Sequence, residues 1–320
     1  MVTDRLFYIV QSTDDGREVQ SLLKERLNIA SGMIKVLKYN KGILLDGEVV
    51  RGTATVKEGQ VITALLNCLE NGPEGAPPDI RPEAGALDII YEDEALIVLN
   101  KPANTVIHPT CSHQSGTLLN YLMYYWQEKG IFTDAHLVGR LDKDTTGIVI
   151  IARNGYVQEA LKRQSQQGEM KKYYLAAVSP PPAQPEGTVN APISRDYDSI
   201  IKRKIDPEGG ATAITHYKTL AVHPATESVP SWAIVEYLLE TGRTHQIRLH
   251  SWYSGFPIIG DTLYKGTGND SISECFAPHQ LLHAYKIEIT HPVTGEKMVF
   301  KAMPPKEWGK YFFLAMDKFE

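Results

Sequence analysis

One aspartate in the sequence has two candidate chemistries. Asp142 begins the run DKDTT and also belongs to the longer run RLDKDTTG, both within residues 139–153. The shorter pattern, D-x-D-x-T, is typical of phosphatases that attack phosphorus with an aspartate and need Mg²⁺. The longer pattern, R-L-D-x-x-T-x-G, is typical of one aspartate that acts on a sugar beside an arginine. The segments around Asp142 discriminate between the two.

A metal-dependent phosphatase needs an apolar strand that runs into the first aspartate and further acids that hold Mg²⁺. Here the order is reversed, because the apolar run GIVIIAR follows Asp142 and the broken run AHLVGR precedes it. Asp261, in the segment IIGDTLYKG, has no second acid one helical turn later. The sequence therefore favours chemistry at a sugar.

Length and composition indicate a globular protein of about two domains. The 320 residues are 42% hydrophobic and 22% charged, with a net charge of −5. No apolar run is long enough to span a membrane, and the N-terminus lacks the pattern of a signal peptide. The cysteines, Cys68, Cys111 and Cys275, are far apart and indicate neither a disulfide framework nor a metal site. They favour a reducing cytoplasm.

Residues 71–85, NGPEGAPPDIRPEAG, are rich in Pro, Gly and Glu and are typical of a linker. The linker divides the chain into a unit over 1–70 and a larger unit over 86–320. The elements predicted for the first unit are helices over 18–27 and 30–40, a hairpin around Asp46-Gly47, and a strand over 59–66. This unit is a small α+β module.

The larger unit predicts an α+β fold with a mixed, largely antiparallel sheet and flanking helices. Its predicted elements are a hairpin over 87–102, helices over 116–130 and 154–168, and strands over 147–153, 169–179, 231–242 and 281–302. Thr244 is predicted to cap a helix over 245–254, with Gly255 at the C-terminal cap.

Five segments, taken together, resemble the RluA family of RNA pseudouridine synthases. RLDKDTTG is similar to its catalytic signature, YEDEALIVLNKPANTVIHP to its opening motif, KKYYLAAV to its K-x-Y-x-A motif, TGRTHQIRLH to its third motif, and LLHAYKIEITHP to its closing segment. The segments stand in the family's order between about residues 88 and 303. Two positions depart from the pattern: Gly139 stands where many members have His, and Asn104 replaces a usual glycine.

The resemblance implies an isomerase that converts uridine to pseudouridine in RNA. Asp142 would be the catalytic group, either attacking the anomeric carbon or abstracting a ribose proton. Arg248 would keep that carboxylate ionised and oriented. Tyr174 would pack against the target base and assist removal of the proton from carbon 5. No cofactor or metal is required, because the base itself is the leaving group and returns.

The same resemblance predicts the contacts to RNA. Arg140 would fill the space left by the flipped-out base, Arg243 would contact phosphate, and Leu282 would line the pocket. The other predicted substrate contacts are Leu141, Thr145, His245, Lys35 and Lys38. His245 and His250 are five residues apart, a spacing that does not suit a helical metal site.

The N-terminal unit resembles, loosely, the S-four-type RNA-binding domain, with Lys35 and Lys38 on its second helix. Accessory domains of this type accompany ribosomal substrates, so 23S ribosomal RNA is the expected partner and transfer RNA the alternative. No membrane and no obligate protein partner are expected. An RNA-binding protein without catalytic activity is disfavoured, because Asp142, Tyr174 and Arg248 are all present.

Overall fold

The computed structural model describes residues 4–69, 80–110, 113–131, 133–199, 201–227, 229–265 and 279–308. Cys111, Cys275 and residues 70–79 of the predicted linker lie outside these ranges. Within them, no helix combines the length and the apolar character that a membrane span needs.

The N-terminal unit is a four-stranded antiparallel sheet covered by two helices. Its elements are β1 (Arg5–Ile9), α1 (Val19–Glu25), α2 (Ser31–Tyr39), β2 (Ile43–Leu45), β3 (Glu48–Val49) and β4 (Val61–Leu65), with strand order β1-β4-β2-β3. The hairpin around Asp46-Gly47 is confirmed, and both turn residues have positive φ, as a tight hairpin turn requires. β1 was not predicted from the sequence.

In its described residues the larger unit contains a ten-stranded sheet, a separate two-stranded sheet (the eleventh and twelfth strands of the chain) and three α-helices. Its elements are β5 (Ile89–Glu92), β6 (Leu96–Lys101), α3 (Leu118–Glu128), β7 (His136–Leu137), β8 (Thr146–Ala152), α4 (Gly155–Gln166), β9 (Lys171–Val178), β10 (Glu186–Asn190), β11 (Ile193–Arg195), β12 (Arg203–Ile205), β13 (Ile214–His223), β14 (Trp232–Leu239), α5 (Gln246–Tyr253), β15 (Leu282–Thr290) and β16 (Lys297–Lys301). The predicted helices and strands of this unit are present. The strands β10–β13 were not predicted.

The sheet follows the order β10-β13-β14-β9-β15-β8-β6-β5, with β16 beside β15 and β7 beside β8. The pairing of β15 with β8 is parallel, whereas the other strand pairs of this sheet are antiparallel in the described residues. The predicted mixed, largely antiparallel α+β fold is therefore confirmed.

The parallel pairing explains the last residues of the catalytic signature. Thr146 Oγ1 and His283 Nδ1 are 2.7 Å apart and join the two strands. Gly147 has a φ of +107°, and a Cβ at this position would lie 2.3 Å from the carbonyl oxygen of Ala284. Only glycine fits so close an approach of two backbones. These residues hold the strand that begins just after Asp142.

Helices cover both faces of the sheet. Val149 and Ile151 of β8 pack in a cluster with α3, whereas Ile148 and Ile150 face the side of α4. β9 places Tyr174 and Ala176 in a cluster with Ile247 of α5. The segment that contains Asp142 thus enters the sheet between α4 and α5.

The N-terminal unit packs against α4. One buried cluster combines the core of that unit with Val157 and Leu161 of α4. The Tyr156 hydroxyl also donates to the backbone oxygen of Leu27 (3.3 Å). Beyond residue 79, the predicted linker contacts α3, because Asn120 Nδ2 donates to the backbone oxygen of Arg81 (2.8 Å). The division at residues 71–85 stays a prediction.

Candidate active site

Asp142 lies in the loop between β7 and β8, four residues before the strand begins. The backbone N–H of Thr145 donates to the backbone oxygen of Asp142 (3.2 Å), which closes a tight turn. The Asp142 side chain is 25% exposed, and its Oδ2 accepts a hydrogen bond from Arg248 Nη1 (2.8 Å). The carboxylate is therefore held by an arginine while one side stays accessible.

Arg248 lies in the first turn of α5 and is buried, with 5% of its side chain exposed. Its Nε and Nη2 donate to the two carboxylate oxygens of Asp261 at 2.6 and 2.9 Å. Asp261 Oδ1 also accepts from the backbone N–H groups of Leu263 and Tyr264. One guanidinium thus binds two carboxylates. Both oxygens of the buried Asp261 carboxylate accept hydrogen bonds from it, whereas the Asp142 carboxylate is partly exposed and can face a substrate.

The charges of this cluster stabilise one another. Burial alone would lower the pKa of Arg248, but the hydrogen bonds and charges of Asp261 and Asp142 outweigh it and raise that pKa above its usual value. For Asp261, burial would raise the pKa, and the Arg248 guanidinium reverses the shift, so that the pKa of Asp261 is lowered. Both groups remain charged at neutral pH.

The start of α5 differs from the prediction. The helix begins at Gln246, and the residue before it, His245, has a left-handed backbone with φ of 59°. The predicted Thr244 cap is therefore wrong. The loop is held instead by the Gln246 side chain, whose Oε1 accepts from Thr241 Oγ1 and from the backbone N–H of Arg243, both at 2.9 Å. A side chain inside the helix replaces the expected capping residue.

The left-handed turn directs His245 towards Asp142. Its Nε2 lies 3.8 Å from Asp142 Oδ2, and its Nδ1 lies 3.0 Å from the Tyr264 hydroxyl. Burial lowers the pKa of His245, with the charge of Asp142 acting in the opposite direction. His245, predicted as a substrate contact, is thus a neighbour of the candidate catalytic carboxylate.

A cavity of about 60 Å³ opens above the Asp142–Arg248 pair. All the substrate and catalytic residues predicted in the larger unit line it: Arg140, Leu141, Asp142, Thr145, Tyr174, Arg243, His245, Arg248 and Leu282. Arg140 and Arg243 are exposed at its rim, and Leu282 is buried. Lys35 and Lys38 are exposed on α2 and do not line this cavity. Four of the five sequence segments therefore meet at this cavity, and the opening motif does not line it.

Four residues of the site were missed by the sequence reasoning. They are Lys101, Gln246, Asp261 and Gln280. Gln280 Nε2 donates to the Thr145 hydroxyl (2.8 Å) and so holds the loop that contains Asp142. Gln246 lies within TGRTHQIRLH, and Asp261 lies in GFPIIGDTLYKG, the segment that follows this motif in the chain. Their nearness to the third motif was the available signal for both. Among the described residues, no group of three or more His, Cys, Asp or Glu is placed to hold a metal.

Lys101 connects the opening motif to the loop that contains Asp142. Its side chain is fully buried, and Nζ donates to the backbone oxygens of Pro102, Thr105 and Lys143 at 2.8, 3.0 and 2.7 Å. Burial lowers the pKa of Lys101 to about 7, although the negative charges of Asp144 and Asp142 act in the opposite direction.

The opening motif departs from the family pattern at Asn104, which has a φ of 55°. Asparagine tolerates this left-handed conformation, which explains how it replaces the usual glycine.

We expect the stability of the protein to rise between pH 7 and pH 10, in part through Lys101. The folded protein releases this proton above pH about 7, whereas the unfolded chain keeps it up to about 10.5. The unfolded state binds more protons in that window, so each pH unit adds up to about 1.4 kcal/mol to the free energy of unfolding. Urea unfolding from pH 6 to pH 10 measures the free energy of unfolding, whose slope against pH should correspond to about one proton bound by the unfolded state and not by the folded one.

Lys101→Met removes the titrating group, and its unfolding free energy should rise less steeply with pH over the same window. Lys143→Met, a change at an exposed neighbour, serves as the control and should follow the wild-type curve. Parallel curves for wild type and Lys101→Met would contradict the prediction.

Comparison with known proteins decides the family. A family model described as RNA pseudouridylate synthase matches residues 95–252. The uncharacterized RNA pseudouridine synthase YhcT of Bacillus subtilis is 34% identical and covers 93% of each chain. Ribosomal large subunit pseudouridine synthase D of Neisseria meningitidis serogroup B is 37% identical over 88% of this chain and 78% of the relative. This chain belongs to the RNA pseudouridine synthases, in the RluA family.

The solved structures agree with the fold of this pseudouridine synthase. Human RNA Pseudouridylate Synthase Domain Containing 1 matches with a TM-score of 0.55 and 20% identity, over 72% of this chain and 87% of that chain. Membership of this family makes the protein an isomerase that acts on RNA. The family membership decides against the phosphatase, and the strand order agrees, since β8 follows Asp142 rather than leading into it.

Proposed function

We propose that this enzyme isomerises specific uridines in 23S ribosomal RNA, with Asp142 acting on a flipped-out nucleotide. The observation that carries the proposal is the 2.8 Å contact of Arg248 with an Asp142 carboxylate that stays partly exposed in a cavity. The named function of the Neisseria relative supports the choice of the large ribosomal subunit. Transfer RNA remains the alternative substrate.

In the proposed reaction the bond between uracil N1 and ribose C1′ breaks, the base turns, and a bond forms between C5 and C1′. The C5 proton is lost and N1 takes up a proton, so that the product is an isomer of the substrate. The Asp142 carboxylate acts as a nucleophile at C1′ or as a base at the ribose. Either role requires the ionised form, which the Arg248 guanidinium favours. The reaction is redox-neutral and returns the base, so the proposal includes no cofactor.

Tyr174 is proposed to pack against the target base. Burial raises the pKa of Tyr174, and the charge of Asp142 raises it further, so its hydroxyl is protonated at neutral pH. Packing is thus favoured over direct removal of the C5 proton by this side chain. Base stacking on an aromatic ring contributes about 1–3 kcal/mol. Together with Arg140 in the vacated space, it would offset the few kcal/mol that base flipping costs.

Pseudouridine mapping across total RNA tests the substrate. Cells that lack the gene should lose one or a few pseudouridines in 23S ribosomal RNA, and the gene carried on a plasmid should restore them. The same gene with Asp142→Asn should not restore them. Loss of pseudouridine in transfer RNA alone would replace the proposed substrate with the alternative one.

The N-terminal unit is proposed to contribute to RNA binding through Lys35 and Lys38. Both are exposed on one helix, α2. The double change Lys35→Glu and Lys38→Glu should weaken binding to a 23S transcript. If each lysine contacts one phosphate, it should also reduce the slope of log affinity against log salt by about 0.7–0.9 per lysine.

Lys24→Glu combined with Lys57→Glu is the matched control, because it makes the same charge change at exposed positions of the same unit. Equal losses in the two double variants would mean that only overall charge matters. The point changes are preferable to deletion of the unit, because its buried residues pack in one cluster with α4 and deletion would expose that helix.

A further inference from the structure

A second cavity, of about 300 Å³, adjoins the catalytic one. The two cavities share the residues Arg140, Leu141, Tyr174, Leu239 and Arg243. α4 and the first residues of β9 form the far wall, on the side away from Asp142. An RNA strand whose target base lies over Asp142 can therefore continue into this second cavity past Arg140 and Tyr174.

The wall of the second cavity is basic although the protein has a net charge of −5. Its lining includes the cationic residues Arg140, Lys162, Lys172, Arg243 and Lys286, and no carboxylate from the residues that the structure describes. Lys286 is paired with Glu288 (3.1 Å) and lies 3.8 Å from the ring centroid of Tyr173. Within the described part of the chain, the other cations of the wall form no ion pair.

Lys172 is the cation that most needs an anionic partner. It lies on the same face of β9 as Tyr174, and its Nζ donates to Ser165 Oγ of α4 (2.8 Å). Burial lowers the pKa of Lys172, and no described carboxylate opposes the shift. A cation removed from water without a counter-ion is costly. An anion in the cavity would offset that cost.

The floor of the cavity is apolar, with Ile148, Ile150, Met170 and Ile287. Its volume is at the lower end of the range for small-ligand sites. An apolar floor below a cationic, acid-free wall suits a nucleotide, whose base is flat and whose phosphate is anionic. A neutral metabolite would leave the cations unpaired, and a metal ion would be repelled.

We propose that this cavity binds the nucleotide next to the target uridine in the same RNA strand, with its phosphate at Lys172 and Lys162. The inference rests on the proposed function of the site around Asp142. It adds a specificity element, because the enzyme would select its uridine together with one neighbouring nucleotide.

The first test compares Lys172→Met with Lys171→Met. Both changes remove one positive charge from β9, but successive side chains of a strand point to opposite faces, and Lys171 is exposed on the other one. Binding of a 23S ribosomal RNA transcript is measured over a range of KCl concentrations. For Lys172→Met we expect a weaker affinity and a salt slope reduced by about 0.7–1. Lys171→Met should behave as wild type.

Thermal unfolding separates binding from a merely structural role. Lys172→Met should leave the melting temperature unchanged or raise it, because it removes a partly buried cation that forms no ion pair with a described carboxylate. Lys162→Gln, a second variant on α4, should show the same reduced salt slope. A lower melting temperature with an unchanged slope in both variants would make these lysines structural and overturn the proposal.

The second test identifies the source of the phosphate. In a short RNA that carries the target uridine, one flanking phosphate at a time is replaced by a neutral methylphosphonate. At one flank the replacement should raise KM for the wild type about tenfold, as loss of a phosphate contact would, with kcat little changed. The same replacement should have no further effect on Lys172→Met.

The inference would be overturned if Lys172→Met and the methylphosphonate replacement raised KM additively. Identical behaviour of Lys172→Met and Lys171→Met would also overturn it. The inference would also be overturned if millimolar uridine monophosphate inhibited the enzyme through Lys172 while the RNA salt slope stayed unchanged. The site would then bind a free nucleotide. If the wild type forms no pseudouridine in the 23S transcript, the proposed substrate is wrong. In that case the binding comparison of the two lysine variants is repeated with the RNA that the enzyme does modify, and its outcome decides the inference separately from the substrate.

Discussion

Asp142→Asn is expected to lower the rate of pseudouridine formation by about 10⁴-fold or more, with no change in fold. The amide can neither attack a ribose carbon nor accept a ribose proton, whereas its oxygen can still accept the hydrogen bond from Arg248. The side chain is partly exposed, so the substitution creates no buried unpaired group. The measurements are pseudouridine formed per RNA in a single turnover and the melting temperature of the variant.

Asp144→Asn is the matched control for this experiment. It makes the same chemical change two residues further along the same loop, and Asp144 does not line the catalytic cavity. We expect it to keep activity within about tenfold of wild type. A phosphatase of the D-x-D-x-T type would need both aspartates. Turnover near the wild-type rate in Asp142→Asn would refute the proposed role of this residue.

Arg248→Met is expected to reduce both stability and activity. The change leaves Asp261 buried without its cation, and loss of one partner from a buried pair costs about 3–5 kcal/mol. Activity should fall as well, because the Asp142 carboxylate loses the hydrogen bond that orients it and favours its charge. Urea unfolding gives the first quantity and single-turnover kinetics the second.

A double variant separates the two effects. Arg248→Met combined with Asp261→Asn removes the stranded charge, and the asparagine oxygen can still accept from the backbone N–H groups of Leu263 and Tyr264. We expect this variant to recover most of the lost stability but none of the lost activity. Recovery of activity along with stability would mean that Arg248 acts only by holding the fold.

The elements that were predicted well have a strong local pattern. α3 and α4 carry apolar residues at helical spacing and a capping residue, since Thr117 and Asn154 both accept from backbone N–H groups at the helix start. The Asp46-Gly47 turn needs two left-handed residues, which few sequences provide. In such cases neighbouring residues contain most of the information about the element.

The elements that were missed depend on distant partners. β10 is an edge strand of alternating exposure and contains Gly187, so its pairing with β13 rather than its composition makes it a strand. The start of α5 was misplaced because Thr244 matches the usual capping pattern. The Gln246 side chain, which holds the loop and bonds to the backbone oxygen of Ile214 (3.0 Å), prevails over that local preference.

The sequence by itself determined which acid is the candidate for catalysis, which segments accompany it, and the class of the fold. These follow from residue types at fixed spacing and from periodic apolar patterns. Only the tertiary structure decided that one guanidinium joins Asp142 to Asp261, because these carboxylates lie 106 and 13 residues from Arg248 in the chain. It also decided that lysines from α4 and β9, which form no ion pair with a described carboxylate, meet in a cavity beside the site. Which side chains face each other across packed elements is a property of the packing and not of any one segment.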